Sequence, residues 1–269
     1  MKTALPHLAA IRVEGADGRD FLHRQLSADI NGLENGGATF ACLCQPKGRV
    51  IATVLVIADA ETLWMVCSAT LAGKVTSWLQ RFVFRDDVRF VADEPVVVLG
   101  GEEGFSPLPG LAYQVVSGLG SDDSMAAEFR ARELAAGVAW LDSTTSEAFL
   151  PQMIGADAIG ALNYRKGCYP GQEIVARMHY LGKLKQRPVL AHSTSATAPA
   201  PMDKVVLANG AEEVEAQVVD VATAGDRVQL ILVARAQAPV NVDRLVWESG
   251  EIAIEADWPE VETRQPKDA

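Results

Sequence analysis

Cysteine is scarce in this chain and shows no sign of pairing. The 269 residues hold four, Cys42, Cys44, Cys67 and Cys168. No C-x-x-C pair occurs, and His7, His23, His179 and His192 show no zinc-ligand spacing to them. A structural zinc site of the usual kind is therefore excluded, and no metal ligands are assigned. In a reducing compartment the four are free thiols. Long apolar runs are also missing. The longest, such as residues 54–58, are far too short to cross a bilayer. The first seven residues lack both the apolar run of a signal peptide and the Arg-rich character of a transit peptide. A cytoplasmic protein with no membrane partner is expected. Positive charge is in short supply too. The net charge is −11 and the sequence pI about 4.9, so most of the surface repels nucleic acid and anionic membrane. Any RNA or anionic ligand must meet a local basic exception.

What is present is enough for a packed core: 49% of residues are apolar and 22% charged. Strand patterns cover residues 8–13, 39–44, 50–58, 62–67, 88–91 and 95–99. Asp17 is a plausible cap for a helix carrying Phe21, Leu22, Gln25 and Leu26. A second helical pattern covers 71–84, and a third, 123–136, ends at Gly137, which suits a position after a helix C-terminus. Residues 100–109 read as a loop. Residues 174–179 fit a short strand or a helical turn equally well. The run 193–201 has linker composition. Beyond it, strand-like runs at 205–208, 214–221, 228–234 and 252–256 read as a small, barrel-like β unit. Residues 259–269 read as a frayed polar tail. Strands and helices mix without βαβ alternation, so the class is α+β.

Residues 165–187 break the acidic pattern. They hold Arg165, Lys166, Arg177, Lys183, Lys185 and Arg187 against Glu173, a net of +5, which leaves −16 for the rest of the chain. Cys168 sits inside this stretch, in the run Lys166-Gly167-Cys168-Tyr169-Pro170-Gly171-Gln172-Glu173. Nearby cations stabilise a thiolate, and flanking glycines permit tight turns and close ligand approach. Gln172 and Glu173 either orient a planar heterocycle or cap a helix. Tyr169 and Phe129 are aromatic faces on which a flat ring can stack. His179 either tunes Cys168 or is solvated. The bland alternatives are an inert cysteine in a Gly-rich turn and a solvated lysine-bearing strand. Cys42 and Cys44, at i, i+2 on a strand, face one side; they read as core residues, or as partners of Cys168 in an iron–sulfur species.

The run Lys166-Gly167-Cys168-Tyr169-x-Gly171-Gln172-Glu173-x-x-Ala176-Arg177 resembles the signature of the YgfZ family, folate-binding relatives of the glycine-cleavage aminomethyltransferase. Further resemblance lies in Gly15-Ala16-Asp17, Phe21-Leu22, Ala28-Asp29, Pro46-Lys47-Gly48-Arg49 and Phe149-Leu150-Pro151-Gln152. It covers roughly residues 8–190 well and the C-terminal unit loosely. The resemblance implies an aminomethyltransferase-like fold at 1–192, with an inserted α/β lobe about 38–100. It further implies a β-barrel-like unit at 202–258 and a flexible tail at 259–269. It implies tetrahydrofolate or a polyglutamylated folate as cofactor, with Lys166, Gly167, Tyr169, Gly171, Gln172, Glu173, Arg177 and Phe129 as its contacts. Cys168 is then the functional thiol, and iron–sulfur client proteins and tRNA-modifying enzymes the partners.

The related transferase needs carboxylates for proton handling and iminium stabilisation. Here Ala52 and Thr53 stand at one such place and Ala135 at the other. Glu133 is close by, but a surface position on its helix is expected. The expectation is therefore a folate-binding accessory protein for iron–sulfur cluster assembly or repair that supports tRNA modification. The alternatives are a one-carbon transferase or demethylase, and an RNA- or partner-binding scaffold using Lys183, Lys185 and Arg187.

Overall fold

A computed structural model describes residues 2–60, 62–92, 96–118, 122–182, 184–209, 212–236 and 242–257. Lys183 and the expected tail at 259–269 lie outside the described residues.

The first half contains β1 (Thr3–Ala4), β2 (Leu8–Glu14), α1 (Gly18–Gln25), β3 (Ala38–Cys44), β4 (Val50–Asp59), β5 (Thr62–Ser68), α2 (Ala72–Gln80), β6 (Arg89–Val91), β7 (Val96–Gly101), β8 (Phe105–Leu108) and β9 (Leu111–Ser117). Then come α3 (Ala126–Ala135), a 3-10 turn (Pro151–Ile154) and α4 (Gln172–Tyr180). The chain continues through β10 (Gln186–Thr194), β11 (Lys204–Asn209), β12 (Glu212–Ala224), β13 (Arg227–Arg235), β14 (Arg244–Trp247), β15 (Gly250–Ala253) and β16 (Glu255–Asp257).

Three sheets result, of order β3-β4-β5-β2-β6, β1-β7-β9-β8 and β15-β14-β11-β12-β13-β10-β16. The strand pairs within them are antiparallel, as an α+β chain without parallel crossovers requires. The seven-stranded sheet curls into a half-barrel. β4 is buried along nearly its whole length, which explains an apolar run interrupted within 50–58 by Thr53 alone. β2 pairs with β5 and β6, so residues on both sides of position 38 share one sheet. β10, before position 192, pairs with β13 and β16.

Several elements differ from the sequence reading. The stretch 100–109 is not a loop: β8 forms a hairpin with β9, a strand whose two exposed C-terminal residues and short length blur its pattern. α2 stops at Gln80, and Phe84, expected at the end of that helix, is 84% exposed. The supposed linker begins inside β10, because Ser193 and Thr194 still pair with β13. Residues 252–256 divide between β15 and β16, and β14 was not anticipated. The open choice at 174–179 resolves as helix, α4. Asp17 does occupy the N-cap of α1, but its side chain accepts from the Asp87 amide at 2.7 Å and does not cap the helix.

The half-barrel has its own interior, built from Val189, Leu207, Val218, Leu230 and Leu232 among others. A β-bulge between Val218 and Asp220 shifts the register of β12 against β13. Past it, Ala222 and Ala224 join the larger core, which contains Phe129 and Leu134 of α3.

Candidate functional site

The loop carrying Cys168 is held at both ends. At its start, Asn163 donates its amide to the Ser27 carbonyl at 2.9 Å. The Asn163 side-chain oxygen accepts from the amides of Arg165 at 2.8 Å and Lys166 at 3.0 Å, an Asx-type turn. Ser27 is tied in turn to β3, because the Cys42 amide donates to its hydroxyl at 2.7 Å. At the far end Gly171 adopts φ +83° as the N-cap of α4. A Cβ there would lie 2.6 Å from the Gln45 carbonyl oxygen, so only glycine fits against the β3–β4 turn. Between these anchors Cys168 is exposed, and Gly167 faces open space.

Lys166 does not point at the thiol. Its ammonium donates to the carbonyls of His23, Leu26 at 2.5 Å and Ala28 at 2.9 Å, at the C-terminal end of α1. A cation is favoured there by the unpaired carbonyls of the last helical turn, while burial lowers Lys166 to about 8. Gln172 and Glu173 both lie in the first turn of α4. The Gln172 amide reaches back to the Lys166 carbonyl at 3.4 Å, and the exposed Glu173 carboxylate suits a helix N-terminus. Arg177 is exposed in the last turn of α4.

Tyr169 turns inward and is 6% exposed. Its hydroxyl and the Gln152 side-chain oxygen are buried with no hydrogen-bond partner among the described residues. The Gln152 nitrogen donates to the Val175 carbonyl at 2.8 Å and to the Tyr164 hydroxyl at 3.4 Å. Tyr164 stacks on His179, with ring centroids 3.8 Å apart, and meets Tyr180 edge-on at 6.0 Å. His179 therefore packs on an aromatic ring. Nothing in the composition of the segment marks this stack, which needs the loop to fold back along α4.

Cys42, Cys44 and Cys67 are core residues whose burial raises their pKa values, Cys42 and Cys67 to about 12. They are not gathered with Cys168: no group of three or more His, Cys, Asp or Glu among the described residues is placed to hold a metal ion. Phe129 is also core. It is 0% exposed, meets Tyr113 edge-on at 5.4 Å and fills the space a side chain on Gly100 would need. No face of its ring is open to a pterin.

Glu133, expected at the surface, is wholly buried. It accepts from the Tyr113 hydroxyl and the Trp140 indole, each at 2.8 Å, and lies 3.0 Å from His7 Nε2. Arg130 stands 3.6 Å away and pairs with Asp220, which also accepts from the Trp140 amide at 2.9 Å. Burial alone raises the Glu133 pKa, but His7, Arg130 and Trp140 together bring it below the ordinary value. This carboxylate is fully engaged and joins α3, β9 and the turn before β2. The helical pattern of α3 hid it, since a charged residue on a helix is usually solvated.

At the places of the transferase carboxylates, Ala52 and Thr53 are buried on β4. Ala135 lines a cavity of about 430 Å³ together with Lys2, Glu102, Arg132 and Arg227. No described residue of 165–187 lines that cavity. No helix among the described residues is long and apolar enough to cross a membrane.

Comparison with known proteins agrees with this picture. Residues 4–97 match the family described as the GCVT N-terminal domain. The tRNA-modifying protein YgfZ of Klebsiella pneumoniae is 25% identical over 244 residues, 75% of this chain and 74% of that protein. The protein of the same name from Blochmanniella pennsylvanica is 23% identical over 254 residues, 76% of each. Among solved structures, the glycine cleavage system aminomethyltransferase T from Bartonella henselae superposes with a TM-score of 0.69 at 15% identity. That match covers 94% of this chain and 83% of the other. The chain is therefore similar to the YgfZ proteins over three quarters of its length, on the fold of the aminomethyltransferase.

Proposed function

We propose that this chain is a tetrahydrofolate-binding accessory protein that supports tRNA modification through iron–sulfur proteins, with Cys168 as its working thiol. One observation carries the reading: a single exposed thiol stands on a loop pinned at Ser27, at the end of α1 and at the β3–β4 turn. A merely structural cysteine in this protein is buried, as the other three are. The curated relatives named tRNA-modifying supply the process, and the fold supplies the folate.

The residues present fit a folate in kind. A pterin edge needs donors and acceptors, and Gln152 and Tyr169 each bury a polar atom that no described residue pairs. Arg177 is an exposed cation suited to the carboxylates of a glutamate tail. Phe129 and Lys166 drop out of the contact set, the first because it is core and the second because α1 takes its hydrogens. Aminomethyl transfer is disfavoured by the lack of a carboxylate at positions 52, 53 and 135 and by the engagement of Glu133.

Calorimetry with tetrahydrofolate and its polyglutamates, on wild type and Cys168→Ala, tests the cofactor. Similar affinity for both is expected, and no heat with either protein would remove the folate. In cells, Cys168→Ala should abolish the activity of a dependent iron–sulfur enzyme. Full complementation by that variant would end the role of the thiol.

A further inference from the structure

Most exposed cations of an acidic protein are balanced by nearby acids, and several here are: Arg24 pairs with Asp20 and Asp86, Lys74 with Glu147, and Arg227 with Glu128. Others, Lys47, Arg85 and Lys204 among them, make no ion pair with a described residue, and three of this kind fall close together in sequence around α4. Arg165, Arg177 and Lys185 are exposed and make no ion pair with any described residue. The nearest acid in sequence, Glu173, is also exposed and lies one turn back on the same face of α4. Tyr164, the chain neighbour of Arg165, stacks on His179, two residues past Arg177, and both rings meet Tyr180 edge-on. Tyr180 is 41% exposed and the adjoining Leu181 76%.

We propose that this end of α4 is a docking platform for an unpaired segment of RNA. Three exposed cations within a segment of net +5 offer the phosphates a purchase on a −11 chain. The outer face of Tyr180, held edge-on by Tyr164 and His179, offers a base a surface to stack on. A duplex keeps its bases stacked on one another and has no use for such a face, whereas loops and single-stranded ends do. A folate glutamate tail would use the cations but not the ring. A protein partner would have to bring acids for the three cations, and a surface of that kind would show no preference for an unpaired RNA loop over a duplex. The inference rests on the reading of the protein as a participant in tRNA modification, and it puts the RNA on the same helix whose first turn follows Cys168.

The test is fluorescence anisotropy of a labelled RNA hairpin with an unpaired loop, titrated at low salt with the full chain and no folate. Binding that weakens as salt rises is expected. Tyr180→Ala should weaken it roughly ten-fold, Tyr180→Phe should restore it, and Lys185→Ala should lower the salt slope by about 1. Circular dichroism melting of each variant shows that the fold is kept. Absence of binding at low salt, equal binding of a blunt duplex, or indifference to Tyr180→Ala would each overturn the proposal. Because folate is left out, failure here is separable from failure of the calorimetric test.

Discussion

Gly171 and Gly48 meet backbone to backbone: a Cβ placed on Gly171 would lie 2.8 Å from the Cα of Gly48. Both have positive φ, +83° and +79°, and a Cβ on Gly48 would press on Ile174 at 3.0 Å. The contact explains why two glycines distant in sequence accompany one cysteine. Gly171→Ala is expected to destabilise the protein by about 2–3 kcal/mol, combining backbone strain with a clash against main chain. Gly110→Ala is the control, since Gly110 has φ +77° but open space around it; it should cost only about 1 kcal/mol. Urea unfolding of both variants decides this, and equal costs would refute the contact argument.

Only one thiol should react in the folded protein. Cys168 is exposed, whereas Cys42, Cys44 and Cys67 are buried with raised pKa values. Brief treatment with iodoacetamide, followed by peptide mass spectrometry, should find the label on Cys168 alone. In denaturing urea all four should carry it. Early labelling of Cys42 or Cys44 without urea would contradict the burial described above.

The Glu133 cluster should be costly to break. Glu133→Ala leaves Arg130, Tyr113 and Trp140 short of an acceptor, and a loss of about 3–5 kcal/mol is expected. Tyr113→Phe should cost about 1.5–3 kcal/mol, the value of a single hydrogen bond to a charged group. The pH dependence has a definite sign. The Glu133 pKa is lower folded than unfolded, so below about 4.5 the unfolded chain takes up the proton first. The stabilisation is present above that pH and is lost as pH falls through the folded pKa. Glu133→Gln should therefore lose less stability on acidification than wild type. Parallel acid curves for the two would contradict the assignment.

Lys166 works in the opposite pH range. Its folded pKa of about 8 lies below the unfolded 10.5, so between these values the unfolded chain holds more protons. Its contribution to stability should rise with pH across that window. Lys166→Met, which strips the donor from three carbonyls, should cost about 2–3 kcal/mol at neutral pH. The difference between wild type and variant should widen towards pH 10. A constant difference across the window would place the titration elsewhere.

The central strands were legible because their side chains alternate or run nearly unbroken over a buried sheet, as β2, β4 and β13 do. The hairpin of β8 and β9 was not, because Pro107 and exposed residues interrupt its pattern. At the site, the motif around Cys168 gave the right loop but not the job of each residue. Lys166 lies two residues before Cys168, yet its side chain caps a helix some 140 positions earlier, at the Leu26 carbonyl. Glu133 looked like a solvated helix residue because its partners come from β9, from Trp140 and from the turn before β2. Composition carries no record of such distant neighbours.

The single extra residue in β12 has a wider consequence. By stepping the ladder between Val218 and Asp220, it exchanges the alternate residues of that strand between its faces: Val214, Ala216 and Val218 face the half-barrel interior before it and Val221 after it, while Ala222 and Ala224 join the larger core. Asp220 can then grip Arg130 and the Trp140 amide while its neighbours stay in the sheet. Asp220 stands opposite Ile231, a residue of the larger core, so the carboxylate shares the face that meets α3. The C-terminal unit is thus keyed to the rest of the chain by a carboxylate placed right at an irregularity of its strand.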